Sequence, residues 1–242
     1  MRKYRVFVEN SLIDLDERVV TIDKSLQRYI EQVLRGAQDC KIVVFDGSGK
    51  EYITTYDIET KSLVIEDVVS NCIQKSFSIS LFQAVPKGTA MDDIIALCSQ
   101  LGVDQVYPMI TARTTVKQVG SNKLMRWQRI ASESCKVGGF CSTTEVKQPL
   151  FLRDALALFN KADLVLFLYE NAETNLRNYT TEIERANHIA LVVGPEGGFD
   201  PSEAEELSKR AITTSLGAVI FRSKWAASVA VMAIDFIKGL VG

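Results

Sequence analysis

The pattern of hydrophobic and polar positions changes character near residue 72. Before that point the pattern predicts short strands at residues 4–8, 19–22, 41–45 and 51–58, with one or two more within 63–69. Asp46-Gly-Ser-Gly49 separates two of these runs and is a hairpin signal. Residues 25–34 carry apolar side chains at helical spacing. We therefore expect residues 1–72 to form a small β-barrel with a helix closing one end.

From residue 73 onward, the pattern alternates between strands and helices. Apolar runs of strand length occur at residues 77–84, 105–109, 164–169, 188–193 and 218–221. Helical spacing occurs between and after them, at residues 91–101, 124–136, 151–159 and 225–240. Strands that are apolar on both faces and separated by helices are typical of a parallel sheet covered on both sides. Residues 73–242 are therefore predicted to form an α/β domain.

Residues 191–199, LVVGPEGGF, form the strongest candidate for a ligand site. The following helix is well specified, with Asp200 as N-cap, Pro201 at the first helical position and Glu203 completing a capping box. Three glycines permit positive φ angles and close approach of a ligand to the backbone: Gly194, Gly197 and Gly198. Ligands of α/β proteins bind at the carboxyl ends of parallel strands. The alternative is a plain strand-to-helix connection.

The sequence lacks the common motifs for phosphate binding, metal binding and hydrolysis. The loop is followed by no Gly-Lys-Ser/Thr, it does not match GxGxxG, and the chain contains neither HExxH nor GxSxG. The one histidine, His188, begins a buried strand, which favours a structural role. We therefore expect no metal, and a ligand that is held through backbone groups and carries an adenine or a carboxylate rather than phosphates.

The net charge of −2 conceals an uneven distribution. Residues 111–148, called here the basic segment, carry a net charge of +5. Such a face suits an anionic partner such as RNA, although charged runs are often only solvated surface. The candidates for phosphate contact in this segment are Arg113, Lys117, Lys123, Arg126 and Arg129. Arg2, Lys3 and Arg5 are further candidates, with a solvated strand edge as the alternative.

The cysteines and the amino terminus indicate in which cellular compartment the protein is found. Five cysteines with no CxxC spacing predict neither a disulfide framework nor a zinc site. The first ten residues contain no apolar signal core, and no apolar run approaches 18 residues. We therefore expect a cytoplasmic protein that does not enter the membrane.

Three motifs together resemble a known family. VGPEGGF, Ser215-Leu216-Gly217 and Ile220-Phe221-Arg222 are similar to the bacterial 16S rRNA uridine-N3 methyltransferases, members of the knotted SPOUT methyltransferases. The similarity extends over nearly the whole chain, including residues 84–87 and 126–130. It implies a PUA-like β-barrel over residues 1–72, able to bind RNA. It also implies a SPOUT-type α/β domain over residues 73–242 that ends in a trefoil knot.

The resemblance also implies a cofactor, a substrate and a set of site residues. S-adenosylmethionine would lie among three loops, held by Leu168, Tyr169, Glu170, Val193, Gly194, Pro195, Glu196, Gly197, Gly198, Ser215, Leu216, Gly217, Ile220 and Phe221. The acceptor would be N3 of one uridine in 16S rRNA of the small ribosomal subunit. Arg222 would stabilise the charge that develops on uracil. Glu196 would hold the loop or assist proton removal, and its alternative role is that of a charge partner for the next helix.

Two departures from the family keep other functions open. Lys224 replaces a glutamate and Trp225 replaces a threonine, two and three residues after the implied catalytic arginine. The alternatives are a catalytically impaired knotted protein that binds RNA or assists ribosome assembly, and methylation of another RNA. The resemblance further implies a homodimer. The apolar face of residues 225–240 could serve that dimer or pack within its own domain.

Overall fold

The computed structural model describes residues 4–33, 41–70, 72–140 and 142–241. Arg2, Lys3 and residue 34 of the first predicted helix lie outside these ranges. The chain divides into two compact units, Met1–Gln74 with Gly139–Ser142, and Lys75–Gly138 with Thr143–Gly242. The hydrophobic pattern did not predict that residues 139–142 return to the first unit.

The first unit contains a β-rich sheet and one helix. Its strands are β1 (Tyr4–Phe7), β2 (Ile13–Asp14), β3 (Val19–Val20), β4 (Ile42–Phe45), β5 (Glu51–Asp57) and β6 (Ser62–Val69). They follow the order β1-β4-β5-β6-β3-β2, and β1 and β4 run parallel while the other neighbours are antiparallel. Helix α1 (Lys24–Val33) buries Ile30 in the apolar core of this sheet. The β-rich character and the hairpin at Asp46-Gly-Ser-Gly49 are confirmed.

The second unit is a parallel sheet covered by helices. The strands are β7 (Ser78–Ala84), β8 (Gln105–Ile110), β9 (Glu145–Val146), β10 (Leu150–Phe151), β11 (Leu164–Leu168), β12 (His188–Val193) and β13 (Ile212–Thr214). Their order is β10-β8-β7-β12-β11-β13, with β9 also paired to β8, and each of these pairings is parallel. The helices are α2 (Ala90–Gln100), α3 (Ser121–Gly138), α4 (Leu152–Leu158), α5 (Thr180–Arg185), α6 (Pro201–Ser208) and α7 (Ser223–Ile237).

Strand β12 shows how the sheet is covered on both faces. Ile189, Leu191 and Val193 point into one apolar cluster, while Ala190 and Val192 point into another. Side chains of α2, α3 and α7 fill the first cluster, and side chains of α4 and α6 fill the second. The prediction of a parallel sheet buried on both faces is therefore confirmed.

The position of the last strand was predicted wrongly. The apolar run at residues 218–221 is irregular, and the last strand is instead β13, which pairs with β11. Ile220 is 80% exposed. A strand of three residues, two of them threonine, has too weak an apolar pattern to be recognised. The run that does look like a strand forms part of a cavity wall described below.

The cysteines also depart from expectation, since Cys72 is disulfide-bonded. Cys98 and Cys135 are buried free thiols. Burial, with a smaller effect from Asp235, raises the pKa of Cys98 to about 12, so this thiol is inert at neutral pH. Within the described ranges, no cluster of acidic, histidine or cysteine side chains has the arrangement of a metal site. No helix in those ranges has the length and apolarity that crossing a bilayer requires.

Candidate active site

A cavity of about 590 Å³ lies at the carboxyl edge of the parallel sheet. Strand β11 pairs with both β12 and β13, and Leu168 is in register with Val193 and Thr214. This register brings the loops after these strands together. The start of α7 forms another wall of the cavity. The volume is within the range of about 300–1,000 Å³ that small-molecule sites occupy.

The structure brings nearly all the residues proposed for the cofactor together at this cavity. Those that line it are Leu168, Tyr169, Glu170, Val193, Gly194, Pro195, Glu196, Gly198, Ser215, Leu216, Gly217, Ile220 and Phe221. Gly197 does not line it. Sequence reasoning missed four lining residues: Phe199, Val219, Ser223 and Ala226. Each of them lies next to a predicted segment, so a wider reading of the motifs could have found them.

The chemistry of the cavity wall limits the ligand. Its charged residues within the described ranges are Glu170, Glu196 and Arg222, and no lysine lines it. Much of the remaining wall is apolar, including Leu216 and Phe221. This wall suits a flat apolar ring and a cationic group, and it lacks the positive charge that a polyphosphate requires.

The glycine loop, residues 194–198, has a backbone that larger residues would disturb. Gly198 has φ +66°, and a Cβ there would lie 3.5 Å from Oε1 of Glu170. A Cβ on Gly194 would lie 2.9 Å from the ring of Phe199, closer than real Cβ contacts allow. The amide of Gly198 donates to the carbonyl of Pro195 at 3.0 Å and closes a turn. The glycines are therefore required by geometry at positions 194 and 198.

The helix after the glycine loop begins as the sequence predicts. Asp200 accepts a hydrogen bond from the amide of Ser202 at 3.1 Å, and Glu203 accepts from the amide of Asp200 at 3.1 Å. Hydrogen bonds from Ser202 lower the pKa of Asp200, and the charge of Arg113 lowers it further. The predicted capping box is confirmed.

Two neighbouring loops hold the glycine loop in place. The amide of Lys87, after β7, donates to Oε1 of Glu196 at 3.1 Å. The guanidinium of Arg113, after β8, donates to the carbonyl of Gly197 at 3.0 Å. Because each contact joins a different strand end to the loop, the loop conformation depends on tertiary structure as well as on its glycines.

Arg222 lies at the N-cap position of α7 and lines the cavity. Within the described ranges its exposed guanidinium makes no hydrogen bond or ion pair, so it is available to a ligand. The next residue ties α7 to the glycine loop, because Oγ of Ser223 donates to the carbonyl of Gly194 at 2.6 Å. The buried amide of Gln83 donates to the same Oγ at 3.2 Å.

Residues 74–235 match the family model of the RNA methyltransferase domain. The chain belongs to this RNA methyltransferase family. It is 28% identical over 223 residues to ribosomal RNA small subunit methyltransferase E of Synechocystis, covering 90% of this chain and 73% of that protein. The enzyme of the same name from Bacillus subtilis is 24% identical, with 96% of each chain covered.

Solved structures agree in fold. Ribosomal RNA small subunit methyltransferase E of Neisseria gonorrhoeae, bound to S-adenosylmethionine, superimposes with a TM-score of 0.83 at 23% identity over 98% of each chain. A Legionella pneumophila protein, also solved with S-adenosylmethionine, gives 0.84 at 24% identity over 98% of each chain. Identity at this level shows the shared fold.

In this family member, the two departures that follow Arg222 lie outside the cavity wall. The ammonium of Lys224 forms an ion pair with Asp93 of α2 at 2.7 Å. Neither Lys224 nor Trp225 lines the cavity. The reversed charge is thus neutralised by an acidic partner on a neighbouring helix.

The basic segment is largely paired within its own unit. Lys117 donates to the carbonyl of Ala112 at 3.0 Å. Arg126 forms an ion pair with Asp92 at 2.9 Å, and this hydrogen-bonded pairing raises the pKa of Arg126. Trp127 is fully buried and donates to Asp92, so it belongs to the core rather than to a stacking surface.

Two basic residues of the segment have neither an ion pair nor a side-chain hydrogen bond in the described ranges. Lys123 lies over the ring of Trp127, and Arg129 is exposed. In the first unit, Arg5 is largely buried and forms an ion pair with Glu51 at 2.7 Å. The structure therefore leaves Lys123 and Arg129 as the predicted RNA-binding residues most open to phosphate.

Proposed function

We propose that this RNA methyltransferase uses S-adenosylmethionine to methylate N3 of a uridine in 16S rRNA. The observation that carries the proposal is Arg222, which lines the cavity that the glycine loop borders and whose guanidinium has no hydrogen-bond or ion-pair partner in the described ranges. The curated relatives are named as methyltransferases of small-subunit ribosomal RNA, and two solved relatives bind S-adenosylmethionine.

The cavity wall fits the cofactor. S-adenosylmethionine supplies a methyl group on a cationic sulfonium sulfur. Leu216 and Phe221 offer an apolar surface to its adenine, and backbone groups of the glycine loop offer hydrogen bonds. Glu170, in the same wall, balances positive charge on the cofactor.

The acceptor requires charge stabilisation. Methylation breaks the N3–H bond of uracil, and the negative charge that remains on the ring as the proton passes to solvent water makes N3 the nucleophile. The guanidinium of Arg222 stabilises this charge, while the bond from Ser223 to Gly194 fixes the distance between the arginine and the glycine loop. The contact from Lys87 to Glu196 supports a loop-holding role for that carboxylate.

The finer architecture is also proposed from the family resemblance. Residues 1–72 would form a PUA-like barrel that binds RNA, and residues 73–242 would form a SPOUT domain with a trefoil knot. The apolar core of the six-stranded sheet described above is compatible with a closed barrel. Lys123 and Arg129 would contact rRNA phosphates.

We further propose a homodimer formed through the outer face of α7. Trp225, Met232 and Phe236 expose large apolar side chains on this helix, and Phe236 is 67% exposed. Its opposite face, with Ala230 and Ile234, is fully buried in the domain core. Large exposed apolar patches mark interaction sites.

The test is methyl transfer from labelled S-adenosylmethionine to small ribosomal subunits taken from a strain that lacks this protein. We expect one N3-methyluridine per molecule of 16S rRNA, detected by nucleoside mass spectrometry, with 23S rRNA and tRNA as control substrates. Cofactor binding without transfer to any RNA would overturn the enzyme proposal in favour of an RNA-binding role. Label only in a control RNA would overturn the assigned substrate.

A further inference from the structure

The peptide unit between Gly197 and Gly198 is held from both sides. Its N–H donates to the carbonyl of Pro195 at 3.0 Å, within the glycine loop. Its C=O accepts from Nη1 of Arg113 at 3.0 Å, from outside the loop. A glycine-glycine peptide has wide rotational freedom when unrestrained, because neither residue has a side chain. These two bonds together fix its orientation.

From this geometry we propose that Arg113 is a positioning residue for the cofactor, and not a ligand of RNA phosphate. The inference rests on the proposed function, since it assigns to Arg113 the task of holding the glycine loop in the conformation that accepts S-adenosylmethionine. Arg113 acts through the loop and does not line the cavity.

The shape of arginine suits this task. The guanidinium is a planar fork, in which Nη1 bonds to the carbonyl of Gly197 while Nη2 lies 3.9 Å from Oδ2 of Asp200. The aliphatic stem covers the loop, since a Cβ on Gly197 would lie 3.8 Å from Cβ of Arg113. A lysine could make one of these polar contacts, but it could not place two nitrogens at both positions at once.

Arg113 is itself presented by a locked turn. Oγ1 of Thr114 accepts from the amide of Thr111 at 3.0 Å, and both threonines are buried. The ammonium of Lys117 donates to the carbonyl of Ala112 at 3.0 Å. The amide of Ala112 donates to Glu203 at 2.8 Å, which ties the turn to the helix after the glycine loop. The arginine therefore reaches the loop from a rigid support.

Loss of Arg113 should cost cofactor affinity rather than catalytic power. Without it the peptide unit keeps only the bond from Gly198 to Pro195, and the loop must be ordered further when the cofactor binds. Arg222, which lies on α7, is not touched by this change. We therefore expect a raised KM for S-adenosylmethionine with kcat at saturating cofactor nearly unchanged.

The experiment measures S-adenosylmethionine binding to the full-length protein by calorimetry, in the absence of RNA. We expect Arg113→Ala to weaken binding by about tenfold, and Arg113→Lys to give an intermediate value. Asp200→Asn keeps the helix cap and removes only the distant charge, so it should bind almost normally. Arg129→Ala, the matched surface control, should leave cofactor affinity unchanged.

The outcomes separate this inference from the proposed function. If Arg113→Ala binds the cofactor as tightly as the unaltered protein but loses affinity for rRNA, Arg113 is a phosphate ligand and the inference is overturned alone. If the unaltered protein does not bind S-adenosylmethionine, the proposed function and the inference both fail. Should Arg113→Ala fail to fold in a thermal melt, the folded Arg113→Lys protein decides, because equal affinity there overturns the inference.

Discussion

The glycine loop and the basic segment meet at Arg113, which donates to the carbonyl of Gly197, yet their roles were predicted from the sequence with very different success. The loop was expected to border a ligand site, and it borders the cavity. The basic segment was expected to face RNA, but Arg113, Lys117 and Arg126 are each bound within the protein.

The difference teaches which sequence signals are local. A positive φ angle, a capping box and a tight turn are decided within a few residues, so glycine and aspartate positions predict them well. The partner of a charged side chain is decided by tertiary structure, because Asp92 lies 34 positions from Arg126 and Gly197 lies 84 positions from Arg113. A run of positive charge therefore says little about which cations are free.

The largest expected effect concerns Arg222. Arg222→Ala should lower kcat for methyl transfer by about 100- to 1,000-fold, because one preorganised charge partner of the transition state is removed. Cofactor affinity, measured by calorimetry, should change by less than about threefold. If cofactor affinity falls by as large a factor as kcat, Arg222 binds the cofactor instead of stabilising the transition state.

A pair of glycine variants sharpens the contrast within the loop. Gly198→Ala should weaken S-adenosylmethionine binding by about 10- to 30-fold, because its φ of +66° strains any residue with a Cβ. Gly197→Ala is the matched control, since its φ lies outside the left-handed region and the nearest atom of the described ranges to its added Cβ, apart from its chain neighbours, is Cβ of Arg113 at 3.8 Å. Equal losses in both variants would contradict the geometric account.

Asp235 extends the comparison to the protein core, where an ionisable side chain is buried away from water. It is buried on α7, and within the described ranges neither carboxylate oxygen has a hydrogen-bond partner. Burial raises its pKa to about 6, against an opposing effect of Lys75, with Asp104 adding to the rise. The folded protein therefore binds this proton more tightly than the unfolded chain does, and stability falls as pH rises from about 4 to 6.

Asp235→Asn should abolish the loss of stability that Asp235 causes as the pH rises. Relative to the unaltered protein, the variant should gain up to about 3 kcal/mol of unfolding free energy between pH 4 and pH 7. Urea unfolding at several pH values measures this difference. A difference that does not vary with pH would show that the carboxyl group ionises normally in the folded protein.

The smallest expected effect tests which cations of the basic segment are available. Arg129→Ala should weaken rRNA binding about three- to fivefold and reduce the salt slope by about 0.7 to 0.9, as expected for one lost phosphate contact. Arg126→Ala should have a smaller effect on both rRNA affinity and the salt slope, because its charge is already paired with Asp92. Filter binding at several salt concentrations gives both values. A larger effect of Arg126→Ala than of Arg129→Ala would mean that RNA displaces Asp92 from Arg126.

Much of the second unit could be predicted because its strands are buried on both faces. Strand β12 was predicted with its observed bounds, since an unbroken apolar run ends at the glycine loop. Strands β9 and β10 were missed, because two residues carry no detectable pattern. The run at residues 218–221 was wrongly predicted as a strand, because the apolar side chains of a cavity wall give the same sequence pattern as those of a buried strand.

The contacts that hold the site could not be predicted in the same way. Gln83 is the penultimate residue of β7, and its polarity was the one local hint that its side chain binds Ser223. The bond from Lys87 to Glu196 involves a backbone amide, which no side-chain pattern reveals. Such contacts depend on strand order, because they join loops that only the sheet brings together.

The single histidine gives the molecule a built-in spectroscopic probe. His188 begins the strand that ends at the glycine loop, and its ring bonds to the carbonyl of Lys161 at 2.8 Å and to Oγ of Ser80 at 2.9 Å. One imidazole per chain yields one set of ring resonances, with no assignment required. Those resonances report from the opposite edge of the sheet whether β12 shifts against its neighbours when a ligand enters the cavity.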